Sequence, residues 1–107
     1  MRPKREPDIE AEVTFLPTAQ GGRTTPVFSG YRPQHQIRPD YLTSGHHEYI
    51  DRLEVWPGES AIAEIWFLAP DRCQKSMCVD KVIPVQEGSQ IIGHAKVLKI
   101  LNPLLEQ

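Results

Sequence analysis

Ile9-Glu10-Ala11-Glu12-Val13-Thr14-Phe15 (IEAEVTF) is the stretch on which the fold class turns. Ile9, Ala11, Val13 and Phe15 alternate with Glu10, Glu12 and Thr14. Successive side chains leave an extended chain on opposite faces, so this order gives one apolar and one polar face. Wound as a helix, the same residues would scatter their apolar groups around the axis. The stretch predicts a half-buried strand. Residues 17–22 then supply turn chemistry, from Pro17 to the pair Gly21-Gly22.

Working outward, residues 27–38 form a second extended region, bent by Pro33 and closed by Pro39. Residues 49–55 read as a weaker strand marked by Ile50 and Leu53, ending at the turn Trp56-Pro57-Gly58. Ala61, Ala63, Ile65 and Phe67 alternate with Ile62, Glu64, Trp66 and Leu68 before Pro70 stops the run. Residues 82–86 and 91–101 make the last two strands, with Glu87-Gly88-Ser89-Gln90 as a hairpin turn between them. Ten prolines spread along the chain leave no stretch with both a helical period and caps. About six short strands punctuated by turns predict an all-β sandwich or small closed barrel. Closure disposes of the exposed edges that a lone sheet would present.

Composition bounds the function. A chain of 107 residues is one domain with a core of its own. Hydrophobic residues at 39% and charged residues at 24% suit a folded globular chain. A formal net charge of −2 argues against gripping nucleic acid by bulk charge, and leaves only local basic patches for that purpose. The longest apolar run, residues 65–69, is far short of the roughly 20 residues that span a bilayer. The basic start MRPKREPD lacks an apolar signal core, so the cytoplasm is the expected compartment. No membrane partner is expected. Residues 1–8, with three basic residues and two prolines, read as a flexible tail.

Motifs with chemistry are few. Cys73 and Cys78 in CQKSMC read first as two free thiols. A metal site needs about four ligands, so His46 and His47 would have to come close to both cysteines. A local redox disulfide is the third reading. Gly88-Ser89-Gln90-Ile91-Ile92-Gly93-His94-Ala95 has the glycine spacing of a phosphate loop, but His94 and Ala95 occupy the lysine and hydroxyl positions. The residues after this segment read as a strand, so no helix N-terminus faces a phosphate. Neither a nucleotide nor any other cofactor is expected. His35, His46, His47 and His94 form no recognisable set of nucleophile, base and orienting group, and an enzyme is not expected.

Several of these segments together carry a resemblance. Ile9-Glu10-Ala11-Glu12-Val13, Gly21-Gly22-Arg23, Thr25-Pro26, Phe28 and Gly30-Tyr31-Arg32-Pro33-Gln34 resemble the third, C-terminal domain of bacterial elongation factor Tu. That family reads approximately EAEV, GGRHTPFF, GYRPQFYFR and DVTG, in this order and spacing. The likeness continues through Arg38, the segment from Asp40 to Gly45, Pro57-Gly58-Glu59, Leu68, Pro70, Glu87-Gly88, Gly93 and Lys99-Ile100-Leu101. It spans residues 9–101, leaving 102–107 as a C-terminal tail. It implies a six-stranded antiparallel closed β-barrel, standing without the family's GTPase domain and second barrel.

The resemblance also implies partners. In the family this domain contacts the T-stem of aminoacyl-tRNA, packs on the GTPase domain and takes part in binding the exchange factor Ts. Position by position, Arg23, Gln34, Thr43, Glu87 and Gly88 fall near the tRNA backbone, and Gln34 also at the inter-domain seam. Ala69 and Gln90 stand where the family carries cations, which removes two phosphate contacts. His35-Gln36-Ile37 replaces an aromatic run, and the segment holding both cysteines is longer than the family's. On the strand of residues 61–68, Ile62, Trp66 and Leu68 are expected to face outward and, with Gln34, to form a protein interface. The expectation is a non-catalytic binding module linked to translation that engages a protein partner or itself. A weak tRNA-binding accessory is the alternative, and a decoy of the elongation factor a lesser one.

Overall fold

In the computed structural model, which describes residues 2–107, eight strands carry the chain. They are β1 (Ile9–Phe15), β2 (Val27–Phe28), β3 (Gln34–Arg38), β4 (Tyr41–Tyr49), β5 (Glu54–Val55), β6 (Ser60–Phe67), β7 (Val82–Glu87) and β8 (Gln90–Ile100). Six of them close into an antiparallel barrel in the order β1-β6-β4-β3-β7-β8, while β2 and β5 pair apart as a short ribbon. Helix is confined to three single 3-10 turns, Thr18–Gln20, Pro70–Cys73 and Pro103–Leu105. None is long and apolar enough to cross a membrane.

The alternation in Ile9–Phe15 points its apolar side chains into the barrel, where all four are buried. A six-stranded barrel is narrow, so large inward side chains must be spaced by small ones. Ala11 accordingly lies between Ala63 on β6 and Val97 on β8, and Val13 between Ala61 and Ala95. At Gly93 a methyl group would stand 2.6 Å from the Thr14 carbonyl oxygen, so only glycine lets β8 approach β1 there. The hairpin between β7 and β8 turns through Gly88 and Ser89, with Gly88 at φ +58, the conformation its position in the sequence calls for.

The six barrel strands differ in part from those the sequence predicts. Pro33 divides residues 27–38, leaving β2 outside the barrel and β3 within it. Residues 50–53 form a turn, and the strand of this region is Tyr41–Tyr49, earlier than expected. Of its interior positions, Thr43, Gly45 and His47 carry no apolar signal, and only Tyr49 at its end does.

The ends of the chain are fastened. Asp8 is fully buried, and its carboxylate accepts from both guanidinium nitrogens of Arg5 at 2.8 and 2.9 Å. It also accepts from the Phe67 amide at 2.7 Å and from Asn102 Nδ2 at 2.9 Å. A buried carboxylate is tolerated only with its lone pairs filled in this way. Leu105, also fully buried, packs in the core cluster that holds Cys73 and Met77, and Met77 and Gln107 bond the backbone there. Asp8 and Leu105 are thus parts of the packed structure, within the segments 1–8 and 102–107 expected as tails.

Candidate functional site

Three of the residues expected at an RNA surface meet on one rim of the barrel. Gly21 at φ +93 and the tightly packed Gly22 fold the β1–β2 connection so that Arg23 reaches β7. Its guanidinium pairs with the Glu87 carboxylate and lies 5.1 Å over the ring of Tyr31, whose hydroxyl donates to the same carboxylate. A further guanidinium nitrogen donates to Thr25 Oγ1 at 3.0 Å, and Gln90 Nε2 donates to the Gly21 carbonyl. Burial, then the bond to Glu87, pushes the Tyr31 phenol up, so it stays a donor. Beside these groups lies a hollow of about 230 Å³ lined by Arg23, Thr25, Glu87 and Gln90. Gly88 opens the adjoining turn, and Gln34 is exposed one strand away, opposite Gln86.

Thr43 does not join them. It is 5% exposed, paired with His35, and faces the barrel interior as the odd-numbered positions of β4 do. Its hydroxyl is turned to the Ser44 carbonyl at 3.4 Å, so it is not offered to a surface ligand as the sequence reading expected. Arg23, for its part, is already neutralised by Glu87. A phosphate would have to displace that carboxylate.

The outer face of β6 is also less open than its alternation suggests. Ile62 is half-buried and Leu68 exposed, but Trp66 retains only 3% of its surface. Its indole does stand outside the barrel, edge-on to His46, and the segment before β1 covers it. Trp66 Nε1 donates to the Arg5 carbonyl at 2.6 Å, and the Arg2 guanidinium lies 5.3 Å over the ring. Large exposed apolar side chains collect instead at the ribbon of β2 and β5. Val27 and Val55 are buried, whereas Phe28 is 55% exposed, Trp56 48% and Leu53 92%. Phe28 stands opposite Glu54, whose carboxylate accepts from the Trp56 indole. Two-residue strands have no measurable period, so no pattern in the sequence marks this face.

Inside the barrel three further polar groups form a chain. The Thr43 carbonyl can only accept, so His35 Nδ1 donates to it at 3.3 Å and His35 Nε2 is an acceptor. His47 Nε2 therefore donates to His35 at 2.8 Å, and His47 Nδ1 accepts from the Tyr49 hydroxyl at 2.9 Å. Every polar atom is satisfied with both rings neutral. Burial lowers His35 to about 4. Burial, then the proximity of His35 and His46, holds His47 well below the usual imidazole range. Both histidines are fully buried, with the edge of the Phe67 ring against His35 and that of Tyr31 against His47. A base must reach the proton it abstracts, and this chain reaches no solvent.

His46 and His47 leave β4 on opposite faces and cannot chelate one ion together. Among the described residues no three of His, Cys, Asp and Glu gather to hold a metal. Cys73 and Cys78 are free thiols, and burial pushes the Cys73 thiol up to about 11, where it is inert as a nucleophile. The arrangement as a whole is one of surfaces: a polar rim, an apolar ribbon and a covered tryptophan. No protein-family model matches the chain.

Proposed function

We propose that the protein is a binding module that engages a partner protein through the ribbon of β2 and β5. The observation that carries this reading is the exposure of Phe28, Leu53 and Trp56 on and beside one short ribbon. Aromatic groups on a rigid support are the usual anchors of protein interfaces, because little side-chain freedom is lost on binding. The support here is rigid: Val27 and Val55 are buried beneath, and the Trp56 amide donates to Glu59 Oε1 at 3.0 Å. The resemblance to the third domain of elongation factor Tu supports a partner from the translation machinery, with exchange factor Ts the first to try. A second copy of the chain is the other occupant of the same face.

Calorimetry with elongation factor Ts and sedimentation equilibrium of the protein alone test this reading. Phe28→Ser is expected to weaken the association about thirtyfold, the effect of losing one interface anchor. Absence of any association in both measurements, or an association indifferent to Phe28, Leu53 and Trp56, removes the reading.

One observation favours tRNA as a second ligand: Arg23, Thr25, Gln90 and the turn at Gly88 share one rim and hollow. A guanidinium, a hydroxyl and an amide suit sugar and phosphate. This reading predicts weak binding that falls steeply with salt and is lost in Arg23→Ala. A gel shift unaffected by salt, or no shift at low salt, rules it out.

A further inference from the structure

Between the N-terminal segment and the outer face of β4 and β6 lies a second hollow, of about 160 Å³. That is the size of cavity that accommodates a benzene ring. One wall is the Trp66 indole, and at the rim stands Leu68, 77% exposed. The polar lining is Ser44, His46, Arg5 and Arg32.

Two of these polar groups are unspent. His46 is 95% buried, yet only one of its nitrogens has a partner: Nε2 donates to Glu48 Oε2 at 2.5 Å, while Nδ1 meets nothing. Orphaned buried polar atoms are rare because each forgoes a hydrogen bond that water would give it. Arg32 makes no ion pair or side-chain hydrogen bond among the described residues. The neighbouring cations differ, Arg2 being paired with Glu64 and Arg5 with Asp8, each at 2.8 Å. With Glu48 holding Nε2–H, Nδ1 is left as an acceptor to which no protein group donates.

We propose that this hollow binds a small amphiphilic carboxylate, its charge held by Arg32 and its apolar body lying against Trp66 and Leu68, with His46 in the wall. Arg32 contributes the one uncompensated positive charge at the site, and a planar guanidinium matches a carboxylate with two parallel bonds. The tryptophan wall selects a carboxylate with a hydrophobic body over an inorganic anion of the same charge. The carboxylate belongs either to a free small acid or to the C-terminus of a peptide.

The test is a titration of the full chain with benzoate, followed by NMR at the Trp66 indole N–H and the His46 ring protons. Saturable shifts at both groups are expected, with affinity reduced about tenfold or more in Arg32→Ala. Arg32 and Lys99 are both exposed, so neither substitution threatens the fold, and Lys99→Ala, on β8 and outside the lining of the hollow, should leave affinity unchanged. Phosphate at the same concentration should shift neither group. A tripeptide ending in phenylalanine, as free acid and as amide, separates the sources. Tighter binding of the free-acid peptide than of benzoate identifies a chain terminus, and the reverse order a free acid. Four results overturn the proposal: no saturation with either carboxylate, equal binding of the amide, equal binding of phosphate, or an equal loss in Lys99→Ala.

Discussion

The protein holds two trios of polar groups built around a tyrosine, and they behave in opposite ways. His35, His47 and Tyr49 lie inside the barrel, where each atom has one partner and the hydrogen-bond directions are dictated by the Thr43 carbonyl. Arg23, Glu87 and Tyr31 lie on the rim, with the Glu87 side chain 40% exposed and water ready to replace any partner. Hydrogen bonds join both, and the rim adds the ion pair of Arg23 and Glu87. Burial alone makes the first trio a requirement of the fold and the second an exchangeable surface, because a lost partner costs most where water cannot follow.

Breaking the interior trio should therefore have the largest effect. His47→Leu keeps the volume but leaves the Tyr49 hydroxyl and His35 Nε2 unpartnered. At roughly 1–3 kcal/mol for each stranded group, the expected loss is about 4 kcal/mol. Urea denaturation measures it, and a loss below about 1 kcal/mol would show that the interior tolerates open polar groups as the rim does.

Acid probes the same trio without mutation. His35 is lowered from 6.5 to about 4, so between those values the unfolded chain binds more protons than the folded one. Its contribution is fully present above pH 6.5 and is lost as the pH falls toward 4. The shift corresponds to roughly 3 kcal/mol, and the depressed His47 acts in the same direction. Protonation of His35 also places two N–H groups against each other across the 2.8 Å contact. Stability measured from about pH 7 down to about pH 4 should fall accordingly, and the slope should flatten in His35→Gln. An unchanged slope in that variant would move the acid sensitivity elsewhere.

How much of this could be read from the sequence follows from the same contrast. The strands Ile9–Phe15 and Ser60–Phe67 are visible because their inward residues are apolar, and the β7–β8 hairpin because Gly88 supplies its turn. Strand β4 is hidden because the barrel interior accepts Thr43, Gly45 and His47 there, and only the fold makes those positions inward. At Gly45 a methyl group would stand 2.8 Å from His35 Cε1, so even the glycine answers to a residue on another strand. Trp66 is legible as outward-facing, but its cover comes from Arg2 and Arg5, about sixty positions away. Arg23 and Glu87 both belong to the expected RNA surface, yet they are separated by most of the chain. Their mutual neutralisation arises only when the barrel closes and brings the β1–β2 connection against β7.

The rim yields the smallest effect on stability and the most informative effect on binding. Glu87→Gln removes the charge facing Arg23 but keeps an amide that can still accept from Tyr31. An exposed pair of this kind contributes about 0–1 kcal/mol, so the midpoint of unfolding should hardly move. If the rim is an exchangeable surface, the released guanidinium becomes available to phosphate. tRNA binding at low salt should then strengthen in Glu87→Gln and be abolished in the double variant with Arg23→Ala. Each new bond to a phosphate should also steepen the salt dependence by about one unit of the logarithmic slope. A variant that loses stability like His47→Leu, or that shows no increase in tRNA affinity, would place Arg23, Glu87 and Tyr31 with the interior trio as structure. The distinction between the two regions would then rest on burial without any difference in role.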